Sequence, residues 1–345
     1  MKEVESITIY TGSNGKKGCS GNCIGCSQET YGNQHEMYQG KMEQIDEILR
    51  LSPNIKKAII LGNPDPSVDP EFCNGVAKKM MKNGIQIRFS ASGKFAYKTV
   101  TKLIEGLDTS LIEYISFSID TVEQTMLDYL KGTHIDLDDV EKAIKYLHKK
   151  GIVTKVQPTL WKINQDTYIE TINYFEKIGV KWFSFHAGSF ETFTNEKELQ
   201  HITPKKWREI VKDITRICEE KNLKVHMPHL FLNEEEKKVY DAIRGNKCIH
   251  KNLKNTQVWL EKDYIRTTHC ALLREVQKFD YNYLDGDKSC VDYKCPNNGV
   301  CAVTPKCLGK KLCAESIDGE GHEYKINGEH LYSVCRFYNY LNFNR

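Results

Sequence analysis

Short apolar runs alternate with amphipathic helical patterns over the first two-thirds of the chain. A parallel sheet built from βα units has this sequence form, because each buried strand is followed by a helix that covers it. The apolar runs predict six strands, at residues 4–10, 56–61, 85–91, 112–120, 152–158 and 181–186. An amphipathic helix at 205–221 and one extra strand at LKVHMP follow them. The pattern therefore predicts an α/β fold.

The helix before the fifth strand has recognisable signals at both ends. Carboxylates from Asp136 to Asp139 can cap its first turn, and the helical pattern runs to His148. Two lysines suit the negative end of the helix, and Gly151 closes it. We expect each helix of the series to cover the strand beside it.

Polar and apolar residues alternate along the last four predicted strands, so each strand has one polar face and one apolar face. The polar faces comprise Gln86, Arg88, Ser90, Ser92, Tyr114, Ser116, Ser118, Asp120, Lys155, Gln157, Trp182, Ser184 and His186. Any one of these residues alone could lie at a solvent-exposed strand end. The same alternation of polar and apolar residues, however, recurs in four strands. Because the apolar faces must pack on helices, the polar faces are left for a concave side. Closed eight-stranded barrels are filled by branched aliphatic side chains, so this parity predicts a wet binding cavity.

Length and composition limit the possibilities further. The chain has 345 residues, 13 cysteines and a formal net charge of +3. This small net charge gives no indication of binding to nucleic acid or to an anionic membrane. No apolar run approaches the ~20 residues of a membrane helix, and the first residues contain no apolar signal region. We therefore expect a cytoplasmic protein. Thiols stay reduced in that compartment, so the cysteines favour metal or cluster ligation over a disulfide framework.

Three cysteines follow the first predicted strand in a glycine-rich loop. Cys19, Cys23 and Cys26 have the spacing C-x3-C-x2-C, and such a loop can direct three sulfurs at one centre. Three thiolates on a four-iron cluster leave one iron without a protein ligand, as a catalytic centre requires. A structural zinc site, completed by His35, and a disulfide loop are the alternatives.

This loop resembles the signature of the radical S-adenosylmethionine (SAM) enzymes. The resemblance implies a partial (β/α)6 barrel, here assigned to residues 1–235, with a 4Fe-4S cluster whose open iron chelates SAM. It also implies reductive cleavage of SAM to a 5'-deoxyadenosyl radical that abstracts hydrogen from a substrate. One departure is Gly25, since the family usually has an aromatic residue before the third cysteine.

A second motif follows the second predicted strand. Many relatives have Gly-Gly-Glu-Pro there, which holds the amino group of SAM, and this chain has Asn63-Pro64-Asp65-Pro66. The resemblance implies that Asp65 replaces the glutamate and that Asn63 contributes backbone contacts. Pro70-Glu71-Phe72 follows at the family's distance and opens the next helix. An ordinary turn is the alternative, because Asn-Pro-Asp-Pro is a strong turn signal.

Further family positions lie on the polar strand faces. ISFSID resembles the Ser-x-Ser-x-Asp segment of the subgroup that modifies peptides and proteins, and Lys131-Gly132 matches its Arg-Gly. The implied contacts to SAM or substrate are Ser92, Ser116, Ser118, Asp120, Lys155 and Gln157, with Lys155 as the partner of the SAM carboxylate. His186 is expected beside adenine or as a proton-transfer group, with a surface loop histidine as the alternative.

Eight further cysteines follow in the last hundred residues, at Cys248, Cys270, Cys290, Cys295, Cys301, Cys307, Cys313 and Cys335. Eight thiols are the ligands of two fully coordinated 4Fe-4S clusters. The predicted hairpin between Cys248 and Cys270 resembles the start of the SPASM and twitch extensions, which bind auxiliary clusters. We assign residues 236–345 to a small cysteine-rich α+β extension of this kind. Structural zinc in a ribbon-like domain is the alternative, and the cysteines do not reveal which would join which cluster.

The resemblance implies the following function and partners. Members with such extensions most often modify peptides or proteins, and auxiliary clusters accept an electron or ligate the substrate. The expected partners are a peptide or protein substrate, a flavodoxin- or ferredoxin-type electron donor and a separate leader-binding protein, without nucleic acid or membrane. A radical SAM enzyme acting on a small molecule such as a sugar and a non-catalytic zinc protein are the alternatives.

Overall fold

The computed structural model describes residues 5–11, 23–24, 40–62, 65–188, 202, 204–227, 230–232, 235, 255–260, 265–268, 323–326 and 329–334. The predicted ligands Cys19 and Cys26, the predicted contact Asn63 and all eight tail cysteines lie outside these residues.

The predicted βα alternation is present. The helices are α1 (Met42–Leu51), α2 (Pro70–Met81), α3 (Ala96–Leu103), α4 (Gln124–Lys131), α5 (Leu137–Lys149), α6 (Tyr168–Lys177) and α7 (Pro204–Glu220). The first nine strands are β1 (Ser6–Tyr10), β2 (Lys57–Leu61), β3 (Gln86–Ala91), β4 (Ile112–Phe117), β5 (Thr154–Val156), β6 (Thr159–Leu160), β7 (Trp182–Ser184), β8 (His186–Ala187) and β9 (Lys224–His226). The remaining strands are β10 (Leu230–Leu232), β11 (Asn255–Leu260), β12 (Ile265–Thr268), β13 (Glu323–Ile326) and β14 (Glu329–Val334).

Seven strands form a continuous parallel sheet in the order β1-β2-β3-β4-β5-β7-β9. Chain order equals spatial order, as expected when every strand is followed by a covering helix. The α/β partial barrel predicted from the sequence is therefore confirmed. The extra strand expected at LKVHMP is β9, which pairs with β7.

The two faces of the sheet differ as the parity predicted. Phe89, Phe117 and Phe183 are fully buried between the sheet and its helices. On the other face, the Ser90 hydroxyl donates to the Gln157 side-chain oxygen at 3.4 Å, although β4 lies between their strands. A contact across an intervening strand requires both side chains to point to the concave side. The polar face therefore lines the inside of the barrel.

Several predicted strands are longer than the observed ones. Pro158 ends β5 because proline has no N–H to donate to a sheet. Its carbonyl instead accepts the backbone N–H of His186 at 2.9 Å, which begins the short parallel pair of β6 and β8. The predicted strand at 181–186 is thus divided between β7 and β8.

The predicted helix ends are confirmed. The Asp136 carboxylate accepts the backbone N–H groups of Asp138 and Asp139 at the start of α5. Gly151 has φ +72° at the other end, a conformation that glycine adopts without strain. Asp69 caps α2 by accepting the N–H of Phe72 at 3.0 Å, so the Pro-Glu-Phe segment opens a helix as expected.

The predicted hairpin in the cysteine-rich part is also present. Strands β11 and β12 are antiparallel, and β11 pairs in parallel with β1. The hairpin thereby extends the barrel sheet to nine strands. A separate sheet joins β10 with β14 and β13. Among the described residues, no helix is long and apolar enough to cross a membrane.

Candidate functional site

The loop after β2 is held by the carboxylate of Asp65. One oxygen accepts the backbone N–H of Ser67 at 2.8 Å, and the other accepts the backbone N–H of Ser92 at 3.0 Å. Asp65 is buried, with 3% of its surface exposed. A turn residue would bind only its own loop, whereas this carboxylate also binds the loop after β3. Asp65 thus joins two loops at the carboxyl edge of the sheet, where open α/β sheets bind ligands.

A buried ion pair lies beside these loops. The ammonium of Lys131, at the end of α4, is 2.9 Å from the Asp120 carboxylate and donates to the Ser118 hydroxyl at 3.1 Å. Asp120 also accepts the backbone N–H of Thr159 at 2.9 Å. Burial lowers the pKa of Lys131, but the charges of Asp120, Cys23 and Asp65 outweigh it and raise that pKa. The lysine is therefore charged, and it brings the predicted site residues Ser118 and Asp120 together.

The described part of the cysteine loop contacts the same helix end. The backbone N–H of Ile24 donates to the carbonyl of Leu130 at 3.0 Å, and its side chain packs on Leu130 and Trp161. Cys23 precedes Ile24 and is half-buried, and it is one of the groups that raise the pKa of Lys131. Cys23 therefore lies at the same edge as the Asp120–Lys131 pair.

The remaining predicted contacts lie deeper in the barrel. The Ser116 hydroxyl donates to the carbonyl of Phe89 at 3.2 Å and is buried. Gln157 accepts the hydroxyl of Ser90. In the register of β4 and β5, Ser116 pairs with Lys155. Ser118 follows two residues later, on the loop after β4. Ser116 and Lys155 are buried on the inner face of the sheet, whereas Asp65, Ser118 and Asp120 lie at its carboxyl edge.

Lys155 lies between two aromatic rings. Its ammonium is 5.3 Å from the centre of the Tyr114 ring and 4.9 Å from that of Trp182, and 1% of its surface is exposed. Burial, followed by the charges of Arg88 and Lys224, lowers the pKa of Lys155 to about 7. Aromatic faces attract a cation without supplying a negative charge. This lysine therefore loses its proton more readily than an exposed lysine does.

The positive charge of Arg88 is paired with a carboxylate that the alternation of polar and apolar residues did not predict. Its guanidinium forms a two-pronged contact with Glu113, with both distances 2.8 Å. The register of β3 and β4 shifts between Ile87 and Arg88, so Arg88 pairs with Tyr114. The irregularity lets Glu113 turn toward Arg88 despite its opposite parity in the strand.

His186 is joined to a second histidine that the sequence analysis did not select. The Ser184 hydroxyl is 3.2 Å from Nε2 of His186 and 3.1 Å from Nδ1 of His226. Burial, followed by the charges of Lys155 and Lys224, lowers the pKa of His226 to about 4. The parity of LKVHMP places His226 on the same face as Lys224, and this was its only sequence signal.

Residues 14–175 match the family model of the radical SAM superfamily. This stretch is a radical SAM domain. Members of that superfamily are enzymes, so the protein is an enzyme, and the superfamily implies SAM and a 4Fe-4S cluster as cofactors of this domain. The domain includes Cys19, Cys23 and Cys26, together with the two loops that Asp65 joins.

Solved structures support the fold of the radical SAM domain. SuiB from Streptococcus suis, bound to the precursor peptide SuiA, is similar with a TM-score of 0.63 and 15% identity, over 91% of this chain and 71% of that protein. A native form of anSMEcpe, with bound AdoMet and the peptide Cp18Cys, is similar with a TM-score of 0.57 and 13% identity, over 99% of this chain and 96% of that one. No curated protein sequence matches the chain.

The described part of the radical SAM domain is compatible with the implied cofactors. A buried cation and two carboxylates at the rim provide complementary groups for the carboxylate and the amino group of SAM. Cys23 contributes a thiol beside them. No three metal ligands meet among the described residues, where Cys23 is the single member of the predicted cluster set.

Proposed function

We propose that this protein is a radical SAM enzyme that modifies a peptide or protein, with its SAM-binding cluster held by Cys19, Cys23 and Cys26. The observation that carries the proposal is the position of Cys23 beside the buried Lys131–Asp120 pair, at the edge where the sheet would bind its ligand. Both SuiB and anSMEcpe have been solved with peptides bound. Their shared fold favours a peptide substrate over a sugar.

The chain's own residues would bind and orient SAM. SAM bound to a reduced cluster would supply radical chemistry, as a 5'-deoxyadenosyl radical for hydrogen abstraction from the substrate. A carboxylate offers about four lone-pair positions, so Asp65 can accept an ammonium while it retains Ser67 and Ser92. Lys131 has three N–H donors, of which Asp120 and Ser118 take two. Its third donor suits the carboxylate of SAM.

The deeper residues supply alternative contacts. Lys155 is a second candidate for the SAM carboxylate, and Ser116 and Gln157 line the cavity beside it. Asn63 and Ser92 belong to the two loops that Asp65 links, and their backbone groups are candidates for the amino end of SAM. His186, on β8, is the candidate that would take a proton from the substrate, since histidine is the most frequent general base in enzymes.

The extension would hold the auxiliary clusters. We assign two 4Fe-4S clusters to Cys248, Cys270, Cys290, Cys295, Cys301, Cys307, Cys313 and Cys335. They would accept an electron from the substrate or ligate it. A flavodoxin- or ferredoxin-type donor would reduce the SAM-binding cluster, and a separate protein would present the leader of a peptide substrate.

The test is SAM cleavage by the anaerobically reconstituted protein. With dithionite and SAM, we expect release of 5'-deoxyadenosine and an iron content near twelve per chain, about four for each cluster. Changing Cys19, Cys23 and Cys26 to Ala together should abolish the nucleoside and remove about four irons. Cys218→Ala is the control, because that thiol is buried on α7 and does not belong to the predicted ligand set.

Two results would contradict this function. A colourless protein that contains zinc instead of iron would exclude radical SAM chemistry. Nucleoside release by a triple variant that remains folded would show that another set of ligands binds SAM.

A further inference from the structure

Lys155 is a buried lysine to which the described part of the chain offers neither a hydrogen-bond acceptor nor an ion-pair partner. Only 1% of its surface is exposed, and its ammonium faces the rings of Tyr114 and Trp182 at 5.3 and 4.9 Å. Lys155 stands two residues before Gln157, whose side chain reaches Ser90 inside the barrel, so both point to the concave side. An aromatic face does not replace a counter-charge, and a buried charge is costly without one.

A second donor without an acceptor lies on the next strand of the sheet. Trp182 pairs with Lys155 in the register of β5 and β7, so the two side chains share a face. The indole Nε1 of Trp182 is buried, and none of the described residues accepts its hydrogen. Buried donors without an acceptor are destabilising, and native structures contain few of them. Two such donors on neighbouring strands indicate a site for an acceptor that the described chain does not supply.

The charges around these two donors favour an anion as that acceptor. After burial, the charges of Arg88 and Lys224 lower the pKa of Lys155, and Glu113 opposes them. Glu113 is already engaged, because it accepts two hydrogen bonds of 2.8 Å from Arg88 and lies 3.3 Å from the ammonium of Lys57. An ammonium and an indole N–H can each donate to one oxygen of a carboxylate. The pair therefore suits a carboxylate.

The depth of the two donors favours the substrate over SAM as the source of this carboxylate. Lys155 pairs with Ser116 of β4. Ser118, which Lys131 contacts at the carboxyl edge, follows two residues later. At about 3.3 Å per residue, the level of Lys155 lies roughly 7 Å from that edge. The ring of Tyr114, which the ammonium faces, belongs to a residue still nearer the amino end. A SAM carboxylate bound at Lys131 therefore leaves the deeper donors for another ligand.

We propose that Lys155 and Trp182 bind a carboxylate of the substrate inside the barrel. The inference rests on the proposed function and narrows its substrate to a peptide with an acidic side chain or a free C-terminus. The ammonium forms an ion pair with one carboxylate oxygen, and the indole N–H donates to the other. The substrate is thereby anchored deep in the barrel, and the rest of it extends toward the edge where SAM would bind.

The test uses the anaerobically reconstituted protein with nitrogen-15 in its tryptophan rings and sodium propionate as the probe. The indole N–H signal of Trp182, identified by its loss in Trp182→Phe, should move downfield and saturate as propionate is added. Propionamide has the same shape without the charge and should leave the signal in place. A signal that does not respond to propionate, or responds equally to both compounds, would overturn the proposal.

Variants show which groups bind the probe, through the stabilisation that propionate gives in thermal unfolding. Lys155→Met should abolish this stabilisation. Trp182→Phe keeps a ring beside the ammonium but lacks the donor, so the affinity for propionate should fall about tenfold. Lys142→Met is the matched control, because its ammonium also faces a tyrosine ring, that of Tyr97 at 4.1 Å, but is exposed on α5. Equal stabilisation of Lys155→Met and Lys142→Met would show that propionate binds elsewhere.

Two further measurements identify the source of the carboxylate. Saturating SAM, added without reductant, should leave the response to propionate intact. Loss of that response would show that SAM itself fills the site and would overturn a role in substrate binding.

Pools of short peptides then compete with propionate. One pool has a central Glu and blocked ends, the second has Gln in its place, and the third is the Gln pool with a free C-terminus. Displacement by the first assigns an acidic side chain, and displacement by the third assigns a C-terminus. Equal displacement by all three, or by none, would contradict the proposal. Because no measurement uses SAM cleavage, absence of 5'-deoxyadenosine release would disprove the proposed function separately from this site.

Discussion

Lys155 shows how the barrel changes the chemistry of a single side chain. The ammonium contacts two aromatic rings and lies near two other cations, and its pKa is lowered to about 7 from an ordinary 10.5. At a pH between these two pKa values, Lys155 binds a proton in the unfolded chain but not in the folded chain. The free energy of unfolding therefore rises with pH across this window.

Replacing this lysine tests its environment directly. Lys155→Met keeps an unbranched side chain and removes the titrating group, so the rise in unfolding free energy between pH 7 and pH 10 should flatten. Each tenfold change in proton affinity is worth about 1.4 kcal/mol. We therefore expect the variant to be more stable at pH 7, by a few kcal/mol, in urea unfolding monitored by circular dichroism.

Lys145→Met is the control for this prediction. Lys145 is exposed on α5 and pairs with Glu141 on the same helix. Its substitution should leave the pH dependence as in the wild type. An unaltered slope in Lys155→Met would mean that Lys155 keeps its proton in the folded protein.

Asp65 is a second single residue whose contacts a sequence motif does not predict in full. The four-residue segment Asn-Pro-Asp-Pro fits a family position and an ordinary turn equally well. The structure shows the turn, since Asp65 accepts the N–H groups of Ser67 and Val68, and it adds a bond from Ser92 that the turn pattern does not predict. The role of Asp65 toward SAM stays a prediction. A bond between residues in two different βα units is invisible to any local pattern.

At the scale of elements, the loop after β3 depends on one glycine. Gly93 has φ +92°, and a Cβ there would be 2.5 Å from Cδ1 of Ile119. It follows Ser92, whose N–H binds Asp65. The left-handed conformation and the close approach of Ile119 both favour glycine. This loop therefore brings an amide to the rim only while residue 93 lacks a side chain.

Gly93→Ala and Gly84→Ala form a matched pair. Gly84 also has positive φ, +73°, but a Cβ there would meet nothing within 4 Å. We expect Gly84→Ala to lower the free energy of unfolding by about 1–2 kcal/mol, from backbone strain alone. Gly93→Ala should lower it more. The affinity of Gly93→Ala for SAM should also fall in calorimetric titration, because the loop shifts. Equal losses of stability in the two variants, measured by thermal unfolding, would show that the Ile119 side chain moves aside without an energetic cost.

At the scale of the whole molecule, the hairpin ties the extension to the barrel. β11 pairs with β1 along its full length, from Ser6 opposite Asn255 to Tyr10 opposite Trp259. The cysteine loop leaves the carboxyl end of β1, whereas β12 runs back toward the amino end. The two predicted cluster regions are thus reached from opposite ends of the same sheet.

This topology predicts separable metal sites. Cys270→Ala should lower the iron content by up to one cluster, about four irons, while the Cys19 loop stays loaded. Release of 5'-deoxyadenosine should continue, and turnover of the natural substrate should fail. Iron analysis and the nucleoside assay would be made on protein shown by circular dichroism to be folded, because metal loss can unfold a small domain. Undiminished iron in such a protein would remove Cys270 from the ligand set.

The sequence by itself determined the order of strands and helices and the polar face of the sheet. These follow from local periodicity and capping residues, which act over a few neighbouring residues. The cluster-binding role of the cysteine loop stays a prediction from resemblance. The domain boundary at residue 235 and the roles of the tail cysteines remain predictions from resemblance.

Only the tertiary structure decided which distant groups meet. His226 reaches Ser184 because β9 pairs with β7, and Lys131 lies beside Cys23 because the loop packs on the end of α4. Glu113 reaches Arg88 through a shift of register. Each contact depends on how separate βα units are aligned, and on the burial and charge that result. Alternation along one strand contains no information about the residue opposite it.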